Sequence, residues 1–166
     1  MSTSGLDFFS KTFQLSNGSV VNCFIYNTCG QERYDALNMS YYNKADAILL
    51  VYDISSRKSF DKLKDYYCPK VKESYAENIP IILLGNKTDL TNREVPAEEG
   101  ISLALNNNYK FKETSCVKNE NVVNAFEALI EMWFIENRNN NNNKKIVIKQ
   151  KKKYYKNDDE ARSRCC

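Results

Sequence analysis

Apolar and polar positions divide the chain into short extended runs and helical stretches. Asp7 to Leu15 and Val20 to Asn27 are extended, apolar or alternating runs. Ser16-Asn17-Gly18-Ser19 between them carries the Asn-Gly signal of a hairpin, since those residues accept positive φ. Ala47 to Ile54 (AILLVYDI) is a continuous apolar run bounded by charges, the pattern of a strand covered on both faces. Ile79 to Gly85 is a second such run, and Tyr109 to Glu113 a shorter one. Phe60, Leu63, Tyr67 and Val71 recur at helical spacing, as do Val122, Phe126, Ile130 and Trp133. Pro96 followed by Ala97-Glu98-Glu99 opens a further helix, with acids near the positive end of its dipole. Strand–helix–strand order predicts an α/β fold, a mostly parallel sheet with helices on both faces. In such sheets the loops after the strand C-termini form the ligand crevice.

Composition narrows the possibilities. The 166 residues are 42% hydrophobic and 27% charged, which suits one folded body and a tail. No apolar run reaches 18 residues, so no transmembrane span is expected, and MSTSGLDFF lacks the pattern of a secretory signal. Histidine is absent, which removes it as base or metal ligand. The cysteines stand at 23, 29, 68, 116, 165 and 166 without a C-x-x-C pair. The first four lie in apolar surroundings and read as small buried hydrophobes in a reducing, cytosolic compartment. Charge is uneven: residues 144–166 hold 9 Lys/Arg against 3 Asp/Glu, whereas the rest is net negative. With the Asn139–Asn143 run opening the tail, the pattern predicts a body over 1–138 and a flexible, disordered basic tail over 139–166.

The chemistry-bearing residues fall in loops after strands. Asn86-Lys87-Thr88-Asp89 follows one apolar run, Thr114-Ser115-Cys116 another, and Asn27-Thr28-Cys29-Gly30-Gln31-Glu32 a third. This ordered set resembles the Ras-like small GTPases, and within them the Rab family. Asn86-Lys87-x-Asp89 is similar to the guanine-reading motif, and Glu113-Thr114-Ser115-Cys116 to the second base loop, with Cys for the usual Ala. Asn27 to Glu32 is similar to the family's Asp-Thr-Ala-Gly-Gln-Glu. Ser4 to Phe8, Lys11-Thr12-Phe13, Tyr41-Tyr42 and Leu50-Val51-Tyr52-Asp53-Ile54 match segments that separate Rabs from other branches. The resemblance implies guanine-nucleotide sites at Asn86, Lys87, Asp89, Ser115, Cys116 and Gly30. Asp89 would accept from the ring N–H and exocyclic amine of guanine, an edge adenine does not offer. Asn86 would reach N7, the Lys87 stem would lie across the base, and backbone N–H groups of Ser115 and Cys116 would face O6.

The departures set the expected activity. A phosphate-binding loop needs G-x-x-x-x-G-K-[ST]. The five glycines are 5, 18, 30, 85 and 100, and none precedes a lysine. The family's N-terminal βα unit is therefore missing from the expected fold. Thr3 and Asn27 fall on the family's Mg²⁺-associated positions, but Asn27 carries an amide where the family carries a carboxylate, so firm Mg²⁺ binding is not expected. Gln31 falls on the family's catalytic water-orienting position, which has little use without a fixed γ-phosphate. The expectation is weak or absent GTP/GDP binding, through the guanine site alone, with little hydrolysis. Loss of a middle strand would leave the hairpin either to pair directly with the Ala47–Ile54 strand or to be loosely held. Two alternatives stay open: an active GTP-binding Rab switch whose upstream segment is not in this chain, and a nucleotide-independent interaction module.

Cys165-Cys166 is not a C-a-a-X box. It resembles the double-cysteine ending on which Rabs carry two geranylgeranyl groups. Two lipid chains plus nearby Lys residues satisfy the requirements for stable anchoring. The resemblance implies a monomer on the cytoplasmic face of endomembranes or the plasma membrane, with a cytosolic pool. Its implied partners are a prenylation escort and vesicle-trafficking effectors, met through the surface around Gln31–Tyr42. Nucleic acid is not an expected partner.

Overall fold

The computed structural model describes residues 7–28, 44–74 and 79–140. Thr3, Gly30, Gln31, the Tyr41-Tyr42 pair, Cys165 and Cys166 lie outside them, as does the tail beyond Asn140.

The α/β expectation holds. β1 (Asp7–Gln14) and β2 (Val20–Asn27) form an antiparallel hairpin, while β3 (Ile48–Asp53), β4 (Ile81–Asn86) and β5 (Lys110–Thr114) form a parallel sheet in that order. Ile48 stands opposite Ile81 and Asn86 opposite Thr114, so the strands finish together at one edge. The hairpin turn differs from a two-residue Asn-Gly turn. Gly18 alone takes positive φ (82°), with Gly18 N–H donating to Leu15 O at 2.9 Å and Leu15 N–H to Ser19 O at 2.8 Å. That is a three-residue loop closed by one left-handed glycine.

β3 leads into α1 (Arg57–Lys62), capped by the Ser56 hydroxyl, which accepts from Ser59 N–H. A π-helical turn (Leu63–Tyr67) then joins α1 to α2 (Cys68–Ser74). Pro69 explains it: proline has no N–H to give and its ring crowds the carbonyl four residues back, so the ladder widens just before it. α3 (Ala97–Asn106) follows Pro96, and α4 (Val122–Asn140) ends the described chain.

Helices cover both faces of the parallel sheet. On one face Ile48, Leu50, Tyr52, Ile54, Ile81 and Leu83 pack with Phe60, Leu63, Cys68, Val71 and Ala104. On the other, Ile82 and Leu84 meet Ala125 and Leu129 of α4. A second stripe on α4, Phe126, Ile130 and Phe134, packs on Phe13, Leu15, Val21 and Cys23 of the hairpin. The two stripes follow helical spacing, so one helix serves both sheets.

Of the two alternatives for the hairpin, direct pairing with β3 does not occur: among the described residues it is a separate sheet packed on α4. One expectation needs correction. β3 is not covered throughout, because Val51 is 52% exposed. The cysteines also differ from a uniformly buried set: Cys68 is buried and Cys23 half-buried, but Cys116 is exposed at the site edge. Burial pushes the Cys68 thiol up to about 11.

Candidate functional site

Three loops leave the C-terminal ends of β3, β4 and β5 side by side, where parallel sheets place ligands. They are tied by side chains. Ser115 Oγ, fully buried, donates to Asp89 Oδ1 at 2.6 Å, and Lys118 N–H donates to Ser115 Oγ at 3.1 Å. Thr114 Oγ1 donates to Asn86 Oδ1 at 3.1 Å, with Cys116 Sγ 3.6 Å from the same oxygen. Thr88 N–H and Oγ1 both donate to Thr114 O, each at 3.2 Å. The β4 and β5 loops are thus locked as one unit.

The lock fixes what each group has left to offer. With Asn86 Oδ1 engaged, its amide offers the Nδ2 donor. Asp89 Oδ2 accepts no hydrogen bond from the described residues, so the carboxylate presents an acceptor edge whose rotamer Ser115 holds. Such a pair, one donor and one carboxylate, complements a purine with an acceptor ring nitrogen and adjacent N–H donors. One expected donor is lost: Ser115 N–H donates to Glu120 O at 3.1 Å in a small bridge. Bridging satisfies a buried amide that would otherwise stand unpaired, and it leaves Cys116 N–H as the backbone donor at this position.

Lys87 takes φ of 71°, a left-handed conformation sparsely used by residues other than Gly, Asn and Asp. Its Nζ lies 2.6 Å from Asp53 Oδ2 at the end of β3. Asp53 Oδ1 in turn accepts from Ser55 N–H at 2.8 Å and Ser55 Oγ at 2.6 Å. Burial alone would raise the Asp53 carboxyl, but the hydrogen bonds from Lys87 and Ser55 outweigh it and hold the group below the usual carboxylate range. Sequence reasoning assigned Asp53 no role. Its position at the C-terminal end of β3, in the same row as Asn86 and Thr114, was the available signal. Arg93 braces the crevice wall, donating to both Glu113 oxygens at 2.6 and 3.1 Å.

The structure therefore brings Asn86, Lys87, Asp89, Ser115 and Cys116 together. Asn27 ends the separate hairpin, and Gly30, Gln31 and Thr3 lie outside the described residues.

Comparison with known proteins gives a family match and several relatives. The Ras family profile matches residues 1–135. Ras-related protein Rab-8A of Bos taurus is 40% identical over 130 residues, covering 78% of this chain and 62% of that protein. Ras-related protein Rab-8B of Homo sapiens is 38% identical over 130 residues with the same coverage. Ras-related protein Rab-18 of Lymnaea stagnalis is 39% identical over 129 residues, covering 78% of this chain and 63% of that protein. The chain spans about three fifths of the length of these curated relatives.

Proposed function

This chain belongs to the Ras family and is Rab-like, and from that membership we propose that it is a lipid-anchored trafficking protein that recognises guanine but holds the nucleotide weakly. The observation that carries the base-reading part is the Ser115–Asp89 hydrogen bond of 2.6 Å, which aims a carboxylate edge into the crevice. Asp89 would accept from the base N–H groups, Asn86 Nδ2 would donate to N7, Cys116 N–H would donate to O6, and the Lys87 stem would cover the base. Adenine presents a different edge and would leave Asp89 unsatisfied, which costs about 1 to 3 kcal/mol.

The weak-binding part of the proposal rests on the phosphate end: the residues given contain no Gly-Lys pair, and Asn27 would offer an amide rather than a carboxylate toward a hydrated Mg²⁺. Bound GTP would supply a γ-phosphoryl group for transfer to water, and Gln31 is the family position that orients that water. With charge stabilisation reduced at the phosphates, turnover would be slow. Affinity would rest on the base, so GDP and GTP would bind alike and Mg²⁺ would change little.

We further propose the body and tail as separate units, 1–138 and 139–166. Cys165 and Cys166 would carry geranylgeranyl groups, and the Lys-rich stretch would add attraction to anionic lipid, about 1 kcal/mol per residue near the surface. The body would meet a prenylation escort and trafficking effectors around Gln31–Tyr42, as a monomer, on the cytoplasmic face of endomembranes or the plasma membrane with a cytosolic pool.

Titration calorimetry of the purified chain with GDP, GTP and ATP, with and without Mg²⁺, tests the nucleotide reading. Guanine-selective binding weaker than micromolar, insensitive to Mg²⁺, is expected. Micromolar or tighter binding that requires Mg²⁺ would favour a complete phosphate site, and the intact mass of the native protein would then show whether an upstream segment supplies it. Removing Cys165 and Cys166 should shift the protein to the soluble fraction of cells; unchanged membrane association counts against lipid anchoring.

A further inference from the structure

Lys87 and Asp89 leave the same loop and are drawn apart. Strand order places β3 on one side of β4 and β5 on the other. Ser115 Oγ ties Asp89 toward β5 at 2.6 Å, whereas Asp53 Oδ2 ties Lys87 Nζ toward β3, also at 2.6 Å. The Lys87 stem therefore runs from the β4 loop across to the end of β3. Asp53 is itself held in place. Its Oδ1 accepts from Ser55 N–H and Ser55 Oγ at 2.8 and 2.6 Å, and its own N–H donates to Ser59 Oγ of α1 at 3.0 Å. Oδ2 is left for the lysine. Lys87 also takes φ of 71°, and such a conformation persists where the surroundings over-determine it.

We propose that Asp53 is a positioning residue for base binding: it anchors the Lys87 ammonium, so that the aliphatic stem is already extended where the face of a purine rests on it. The inference rests on the base-reading role proposed above for Asn86, Lys87 and Asp89. Lys87 is half exposed, and a lysine in that setting samples many rotamers unless its end is pinned. A pinned stem loses little freedom when the ligand arrives, whereas a loose one must be ordered at the expense of affinity.

The same pair sets what the stem offers. A half-exposed ion pair adds little stability, so its use is geometric. With its ammonium matched by a carboxylate, Lys87 presents mainly its methylene chain to the crevice, a surface suited to an uncharged ring. The anchor passes from the start of α1 through Ser55 and Ser59 to Asp53, and from Asp53 to Lys87. Asp53 touches no base itself and acts only through the lysine.

NMR titration of the full chain with guanosine, and with adenosine as control, tests the proposal. These uncharged ligands isolate the base from phosphate and Mg²⁺, and they remove any direct effect of the Asp53 charge on an anionic ligand. Asp53→Asn should weaken guanosine binding about three- to fivefold. Lys87→Met, which keeps an unbranched apolar stem without the ammonium, should lose a similar factor. The double variant should lose no more than either single one, because the two residues act as one device. High salt should bring the wild type toward the affinity of Asp53→Asn while leaving that variant little changed, since only the wild type has the pair to screen. Wild-type affinity in Asp53→Asn overturns the proposal, and so do losses that multiply in the double variant. A wild-type protein that does not prefer guanosine to adenosine overturns the base-reading role and this inference together, and it does so before any variant is compared.

Discussion

Lys87 Nζ and Asp53 Oδ2 stand 2.6 Å apart, joining the loop after β4 to the end of β3. Sequence distance hides the pair, but register explains it, because Asp53 and Asn86 are paired positions at the same strand end. The left-handed φ of Lys87 belongs to the same loop geometry. Lys87 is half exposed, so the pair contributes at the level of a surface ion pair, about 0.5 to 1 kcal/mol.

Its pH dependence has a definite sign. The folded Asp53 carboxyl titrates below its unfolded value, so its contribution is fully present above about pH 4 and is lost as pH falls through the folded value. Asp53→Asn should therefore be less stable than wild type near neutral pH, with the gap closing in acid. Urea unfolding at several pH values measures it. A gap that is the same at every pH means that the charge of Asp53 is not what matters.

Ser115 is predicted to act through Asp89. Ser115→Ala removes the donor that fixes the carboxylate, and it also strips the hydroxyl that accepts from Lys118 N–H. Guanine-nucleotide affinity should drop about five- to tenfold, roughly 1 to 1.4 kcal/mol. Asp89→Ala should fall further. Competition of a fluorescent guanine nucleotide by GDP and ADP gives both numbers. Ser115→Ala binding at the wild-type level would show that Asp89 needs no such support.

The strands and the crevice were legible because both rest on local pattern. Apolar runs such as Ile79–Gly85 mark buried parallel strands, and the polar loops after them fall at one edge by topology alone. What the pattern could not supply were relations set by packing. The exposure of Val51 depends on which strands are beside β3. The loss of Ser115 N–H to Glu120 O depends on how the following turn folds back. The π-turn at Leu63–Tyr67 was readable in principle from Pro69, but Phe60, Leu63, Tyr67 and Val71 keep helical spacing through it and mask the change.

Tyr52 stores a cost in the core. Its hydroxyl is buried with no hydrogen-bond partner among the described residues, and burial pushes its pKa up to about 12. The same oxygen lies 2.5 Å from where a Cβ on Gly100 would sit, with the Phe111 ring also at 2.5 Å. Tyr52→Phe should raise stability by about 1 kcal/mol, because it removes an unsatisfied polar group and keeps the ring. Gly100→Ala should lower stability by about 1 to 3 kcal/mol through overpacking. In the double variant the Gly100→Ala cost should shrink, since half of the clash is gone. Thermal and urea unfolding of the four proteins gives the coupling; strict additivity would mean that the helix moves away from both aromatic residues alike.

The hairpin's dependence on α4 gives the last prediction. Among the described residues β1 and β2 share no ladder with β3, and their buried contacts are Phe13 and Leu15 against Ile130, with Phe126 and Phe134 at the margin. The parallel sheet uses a different stripe of the same helix, Ala125 and Leu129. Ile130→Ala should therefore act on one sheet and spare the other. Truncating a buried isoleucine costs about 2 to 5 kcal/mol, and here that loss should appear as local opening of the hairpin rather than as general unfolding. Amides along 8–14 and 20–26 should exchange faster, whereas those of Ile82 and Leu83 should be little changed. Ala125→Leu is the reciprocal test: overpacking between α4 and β4 should weaken the parallel sheet directly. If Ile130→Ala speeds exchange equally in β4 and in the hairpin, the two sheets unfold as one unit and the helix is not a divided platform.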